Sequence, residues 1–307
     1  MEYLWLIVSI LGYFAFALAS LGDKIILGQS ARPRAFTFFV GVLNILVIFL
    51  IPFVGLQIPS NYTMVWIILD AIIYVFGIYG MFSALEKFDV SRVIPAIGAT
   101  QPIFIFALTW LFWGKQPFSF QQILAFLLLL FGTILVSLNR KGDLFNKDSI
   151  KISLVTALLF SLDFVFSKFV YLDMPSTTQG FLQGFIWIRI ASTAVAILFL
   201  FNPDFYKDVF SKRKKTKPQT GLLFIIFQAV GGTATVLQSI AIALAPIAYL
   251  AIINALRGTQ YVFLFIFTVI CTIFMPHVLK EDISKGIIIQ KVVSILIIGL
   301  GLILLFY

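Results

Sequence analysis

The feature that most constrains this chain is a succession of ten apolar runs, each long enough to cross a lipid bilayer. A helical span needs about 20 predominantly apolar residues. The runs lie at residues 3–22, 36–56, 63–84, 90–113, 119–138, 150–171, 179–201, 220–243, 247–274 and 287–306. The short alternating apolar and polar segments of a membrane β-barrel are absent. The expected fold class is therefore an all-α polytopic membrane protein with ten transmembrane helices. With 61% hydrophobic and 11% charged residues, the composition excludes an ordinary soluble domain. The first run is preceded by Met1-Glu2-Tyr3, without Lys or Arg, so it reads as a helix rather than a cleaved leader. The single cysteine, Cys271, lies within the ninth run and forms no intrachain disulfide.

The fourth run holds Pro95, Gly98 and Pro102, which mark it as an interrupted helix. Shifted by 159 residues, Ala84 to Thr109 falls on Ala243 to Thr268, with identities at Ala84, Leu85, Ile94, Ala96, Thr100, Gln101, Phe104, Phe106 and Thr109. Apolar composition explains matched leucines but not Thr100-Gln101 falling on Thr259-Gln260. The chain thus divides into two related halves, 1–142 and 143–307, joined near Asn139 to Ser149. Matched interruptions in two halves point to a transporter's binding site.

The loops carry an orientation signal. Of the 22 Lys and Arg residues, 18 fall at odd-numbered connections and only Lys115 and Lys168 at even-numbered ones. Positive charge is retained in the cytoplasm, so the odd loops are expected there and both termini outside. The basic run Lys212-Arg213-Lys214-Lys215 reads as a retained cytoplasmic loop, not a nucleic-acid patch.

A charged residue near a helix centre costs about 2.5–3.5 kcal/mol on insertion scales and so needs a partner, a wet cavity or a task. Asp70, Asp163, Arg189 and Arg257 are the most deeply placed. Arg257 forms a stripe with Asn254, Gln260 and Tyr261 at helical spacing, and the matched position of the fourth run is Gly98. A cationic anchor for an anionic or zwitterionic substrate and an internal ion pair with Asp163 or Asp70 both suit it. Gln228, Gly231, Thr235 and Gln238 share a face of the eighth run, and Asp70, Tyr74, Gly77 and Met81 one of the third. Substrate contact and interhelical packing both explain such faces. Asp70 or Asp163 is a candidate to carry a coupling proton. Gly180 and Gly184 form a small-residue packing pair.

No catalytic constellation is present: His277 is the single histidine, and no nucleophile elbow, phosphate loop or dinucleotide fingerprint occurs. The expectation is a protein that is not an enzyme, with no cofactor and no metal.

The short turn after Ala84-Leu85, the Val90-Ser91 to Pro95 entry, Thr100-Gln101-Pro102, and Gly132 echoed by Gly299 or Gly301 together resemble the EamA-type transporters of the drug/metabolite transporter superfamily. The likeness extends over essentially the whole chain. It implies two inverted five-helix repeats, a cavity walled by the third, fourth, eighth and ninth helices, and export of a small metabolite. Two features depart from the family: Lys115 stands where an acidic residue is usual, although Glu281 keeps its counterpart, and the charge count sets the termini outside.

The resulting expectation is a secondary carrier, an exporter by that resemblance, moving a small polar or charged metabolite across the plasma (inner) membrane by alternating access. Substrate contacts are assigned to Arg257, Gln101, Gln260, Asn254, Tyr261, Gly98, Tyr74 and Gln238, and gate or coupling roles to Asp163, Arg189 and Asp70. Expected partners are the small-molecule substrate, membrane lipid and a proton or counter-substrate, with no nucleic acid, in a monomer or homodimer. The alternatives are a lipid or lipid-linked sugar translocase and a non-transporting scaffold or sensor.

Overall fold

In the computed structural model every regular element is helical. Residues 3–26, 33–88, 90–114, 119–137, 147–210, 218–274 and 285–305 are described, and among them there is no strand. Lys115, Lys212 to Lys215, His277 and Glu281 lie outside the described residues, as do the side chains of Arg92, Pro95 and Gln228.

In chain order the helices are α1 Leu4–Ile26, α2 Pro33–Val54, α3 Asn61–Lys87, α4 Val90–Trp113, α5 Phe120–Ser137, α6 Lys147–Asp173, α7 Thr178–Leu198, α8 Pro218–Leu244, α9 in two pieces (α9a Leu250–Ala255 and α9b Arg257–Phe274) and α10 Lys285–Leu304. Among the described residues eight segments are long and apolar enough to cross a membrane. Two shorter apolar helices, Phe120–Val136 and Ala229–Leu244, fall on the fifth and eighth runs. A further short helix, Pro203–Phe210, follows α7 and buries Phe205 and Val209.

Local chemistry sets the helix ends. Ser60 caps α3 by accepting from the Thr63 amide at 3.1 Å, and Thr177 caps α7 by accepting from Gly180 at 3.0 Å. Ser119 and Gln122 form a reciprocal capping box at the start of α5, at 3.0 and 3.2 Å. Gly55 and Gly114, at φ 72° and 76°, end α2 and α4 in a conformation that glycine adopts without a Cβ clash.

The chain forms two compact units, each drawing on both halves of the sequence. The first contains α1, α5, α8, α9 and α10; the second contains α2, α3, α4, α6 and α7 with the short helix. In the first, α1 packs chiefly on α8 and α9b, and α5 packs on α10 and α9. A Cβ at Gly132 would approach Ile298 to 2.6 Å, so the absent side chain sets the α5–α10 separation. In the second, α3 packs on α6 and α7, and Ala84, Val93, Ile97 and Ala157 make a buried core between α3, α4 and α6.

Of the two expected interruptions, one is found. Helix α4 runs unbroken through Pro95, Gly98 and Pro102. A proline removes one amide donor and crowds the carbonyl four residues back, and for Pro102 that residue is Gly98. Neighbouring hydroxyls hold the surrounding backbone: Thr100 Oγ1 donates to the Ala96 carbonyl at 2.7 Å, and Ser161 Oγ on α6 donates to the Gln101 carbonyl at 3.1 Å. The interrupted helix is α9, whose two pieces meet at Leu256, a single turn residue still in the right-handed helical region (φ −63°, ψ −8°), although Leu250 to Leu256 contains neither proline nor glycine.

Candidate functional site

The break in α9 is built by side chains from other helices. Tyr13 on α1 is 2% exposed, and its hydroxyl donates to the Ile253 carbonyl at 2.8 Å. Thr133 Oγ1 on α5 donates to the Ala255 carbonyl at 3.0 Å. The Leu256 carbonyl accepts from the Thr259 amide at 2.8 Å and from its hydroxyl at 2.7 Å. Three carbonyls around the turn thus accept from hydroxyls, which offsets the helical hydrogen bonds disturbed there. A Cβ on Gly258 would stand 2.3 Å from Thr133 Oγ1, so only glycine lets α5 come this close to the break.

Arg257 is the first residue of α9b, an 18-residue half-helix whose N-terminal end carries partial positive charge. It is half-buried. The phenols of Tyr13 and Tyr261 lie within the reach of its charge, and Tyr13 also lies within hydrogen-bonding reach of the Gln238 and Arg257 side chains. One turn earlier Asn254 is 0% exposed, and neither its Nδ2 nor its Oδ1 has a partner; the buried Tyr261 hydroxyl also lacks one. Buried polar atoms are rarely left unmatched, which sets this cluster apart from the packing around it. Gln260 Nε2 donates to Ser20 Oγ on α1 at 3.2 Å, which ties α9b to α1.

A second polar cluster lies in the other unit. Asp70 on α3 is 0% exposed; its Oδ1 accepts from Ser167 Oγ at 3.2 Å and its Oδ2 has no partner. Arg189 on α7 is 8% exposed and rests against the rings of Tyr74 and Phe185, its Cζ 5.2 and 5.1 Å from their centroids. Its Nε and Nη1 are without partners. Asp70, Asp163 and Arg189 feel one another's charge, and Asn44 on α2 hydrogen-bonds Tyr74. Within this unit the cation whose charge reaches both carboxylates is Arg189.

The sequence-assigned residues therefore separate into two groups. Arg257, Asn254, Tyr261 and Gln238 come together with Tyr13 around the α9 break, and Asp70, Tyr74, Asp163 and Arg189 form the second cluster. Gln101 and Gly98 belong to the second unit, where Gln101 is 2% exposed and its Nε2 donates to the Phe160 carbonyl on α6 at 3.4 Å. Gly180 and Gly184 receive the α6–α7 turn and the end of α6, as packing glycines do. Sequence reasoning missed Tyr13, Thr133, Ser167, Asn44 and Phe185; polar residues inside apolar runs were the available signal for the first four.

Helices of this length and polarity define an integral, multi-pass membrane protein. Residues 3–138 match the EamA-like transporter family. A solved crystal structure of a protein is similar over 96% of this chain and 98% of that one, with a TM-score of 0.66 and 14% identity, a likeness of fold. No curated protein matches the sequence.

Proposed function

We propose that the protein is a secondary transporter that moves a small polar or charged metabolite by alternating access, with Arg257 at the α9 break as its anchor. The observation that carries this reading is the junction itself. A membrane helix interrupted at Leu256, its carbonyls held by α1 and α5, carries a half-buried cation just after the interruption and, one turn earlier, a buried amide whose atoms are unmatched. Discontinuous helices with this arrangement hold solutes in other transporters.

The pairing of helices supports ten spans in two inverted five-helix repeats. Helix α1 packs on α8 and α9b, whereas α6 packs on α3 and shares a core with α4; a shift of five helices converts one set into the other. The repeat-matched glutamines follow the same rule, Gln260 bonding to α1 and Gln101 to α6. The Asp70–Asp163–Arg189 cluster is assigned to gating or coupling, because unmatched donors and an unmatched acceptor in one buried group suit two alternative pairings. Both termini are assigned to the outside of the plasma membrane from the loop charges.

The test is counterflow in proteoliposomes loaded in turn with small organic anions, amino acids, nucleosides and organic cations. Accumulation of one labelled class by the wild type, lost in Arg257→Ala with folding retained, is the expected result. No flux of any class, together with tightly co-purifying lipid, turns the assignment to a lipid translocase. No flux and no bound lipid turns it to a scaffold.

A further inference from the structure

We infer that the short helix Pro203–Phe210 is a membrane-docking element, whose outward face rests in the headgroup layer of a leaflet that contains anionic phospholipid. The inference holds or fails whether or not the protein carries a solute.

One side of this helix belongs to the protein. Phe205 and Val209 are buried, and the Phe205 ring meets Phe199 and Tyr79, with centroids 5.0 and 5.3 Å apart. The acidic groups occupy the flank beside it. Arg34 on α2 donates to Asp208 at 3.2 Å, stands 4.0 Å from Asp204 and lies over the Phe205 ring. Both carboxylates therefore face a cation supplied by the protein itself.

The opposite side has another character. Pro203, Tyr206, Lys207 and Phe210 recur at i, i+3, i+4 and i+7, which sets them on one exposed stripe away from Phe205 and Val209. Tyr206 is 55% and Phe210 59% exposed, and their rings lie 4.7 Å apart. Paired rings beside a lysine suit the boundary between lipid chains and headgroups, where the rings fill the interface and the ammonium reaches phosphate.

Position in the chain favours lipid over a protein partner. The span Thr178–Phe201 ends with Phe201 83% exposed, and Asn202 alone separates it from the helix. An amphipathic helix that begins where a span ends lies along the bilayer surface. The charge preference comes from the sequence that follows. Ser211 to Lys217, outside the described residues, reads SKRKKTK, with five basic residues and no acidic one, and draws the segment toward an anionic leaflet.

The test places a nitroxide at the centre of the stripe, in the full chain carrying Cys271→Ser and Tyr206→Cys. The labelled protein is reconstituted in vesicles of phosphatidylcholine alone or of equimolar phosphatidylcholine and phosphatidylglycerol. Collisions with oxygen, which concentrates in lipid, are compared with collisions with a water-soluble nickel chelate. In the mixed vesicles oxygen collisions are expected to exceed those of the chelate. The excess should be smaller in phosphatidylcholine alone, and high salt should reduce it in the mixed vesicles.

A chelate excess in both vesicles overturns the inference, because the face then stands in water. Low collision with both reagents also overturns it, because protein then covers the face. An equal oxygen excess in both vesicles refutes the anionic preference. A label-free measurement decides if the labelled variant does not reconstitute. Phosphatidylglycerol added to the detergent-purified chain should raise the melting temperature more than phosphatidylcholine does, and Tyr206→Ser with Phe210→Ser should lose part of that margin. An undiminished margin in the double variant contradicts the inference.

Discussion

The two arginines set within the apolar runs, Arg189 and Arg257, have different surroundings. Arg189 lies within an unbroken helix, against two aromatic faces and within range of two carboxylates. Arg257 begins a half-helix, is half-buried, and has tyrosines and amides around it. The first arrangement provides countercharge from within the protein. The second provides donors and an open amide. A buried cation whose countercharge is internal contributes to architecture or switching, whereas the surroundings of Arg257 are those on which the proposed substrate anchor rests.

The largest expected effect tests the Arg189 side of this contrast. Arg189→Leu removes the cation whose charge reaches Asp70 and Asp163 and is expected to lower stability by about 3–5 kcal/mol, the usual cost of leaving buried charge uncompensated. Adding Asp70→Asn to Arg189→Leu should recover part of that loss, read by denaturation of the double variant. Additive losses would show that the two groups do not interact, and the contrast would fail.

Next in size is Tyr13→Phe, which leaves the Ile253 carbonyl without its hydroxyl donor and is expected to cost about 1–3 kcal/mol. Thermal unfolding of Tyr13→Phe beside Thr133→Val would measure how much each hydroxyl contributes to the broken turn; unchanged melting in both would mean that the break holds without them. Gly258→Ala should cost about 1–3 kcal/mol, because its new methyl meets Thr133 Oγ1 and α5 must move away. Gly232→Ala is the smallest effect: nothing lies within 4 Å of its added Cβ, so a gain of up to about 1 kcal/mol in helix propensity is expected. Equal losses at Gly258 and Gly232 would remove the close approach of α5 as a feature of the site.

The sequence displays its spans plainly because lipid demands long apolar helices, and residues from α1 to α10 fall where the hydropathy runs do. It displays Arg257, Asn254, Asp70 and Arg189 for the same reason: polar groups in apolar runs are conspicuous. An interruption in the ninth run followed from the repeat, but its place at Leu256 was not legible, since no residue from Leu250 to Leu256 forbids a continuous helix. It arises from hydroxyls contributed by Tyr13 and Thr133, 240 and 122 residues away in the chain. The prolines of α4 misled in the opposite sense, because hydroxyls on α4 and α6 support the backbone around them. Local sequence records where a helix is weak; tertiary partners decide where it breaks. The association of α1 with α8 and α9, and of α6 with α3 and α4, likewise depends on helix faces that hydropathy alone does not rank.

The most direct test of the account is the ligand-induced melting shift measured in matched variants, Arg257→Ala and Arg257→Lys, beside wild type. With a solute of the class accumulated in counterflow at about 100 times its dissociation constant, the wild type should gain about 2.7 kcal/mol. The account predicts that Arg257→Lys keeps a reduced part of that gain, since charge remains but the planar fork does not. It predicts that Arg257→Ala loses the gain while melting, without ligand, near the wild-type temperature. An undiminished gain in Arg257→Ala would contradict the claim that the broken ninth helix holds the solute.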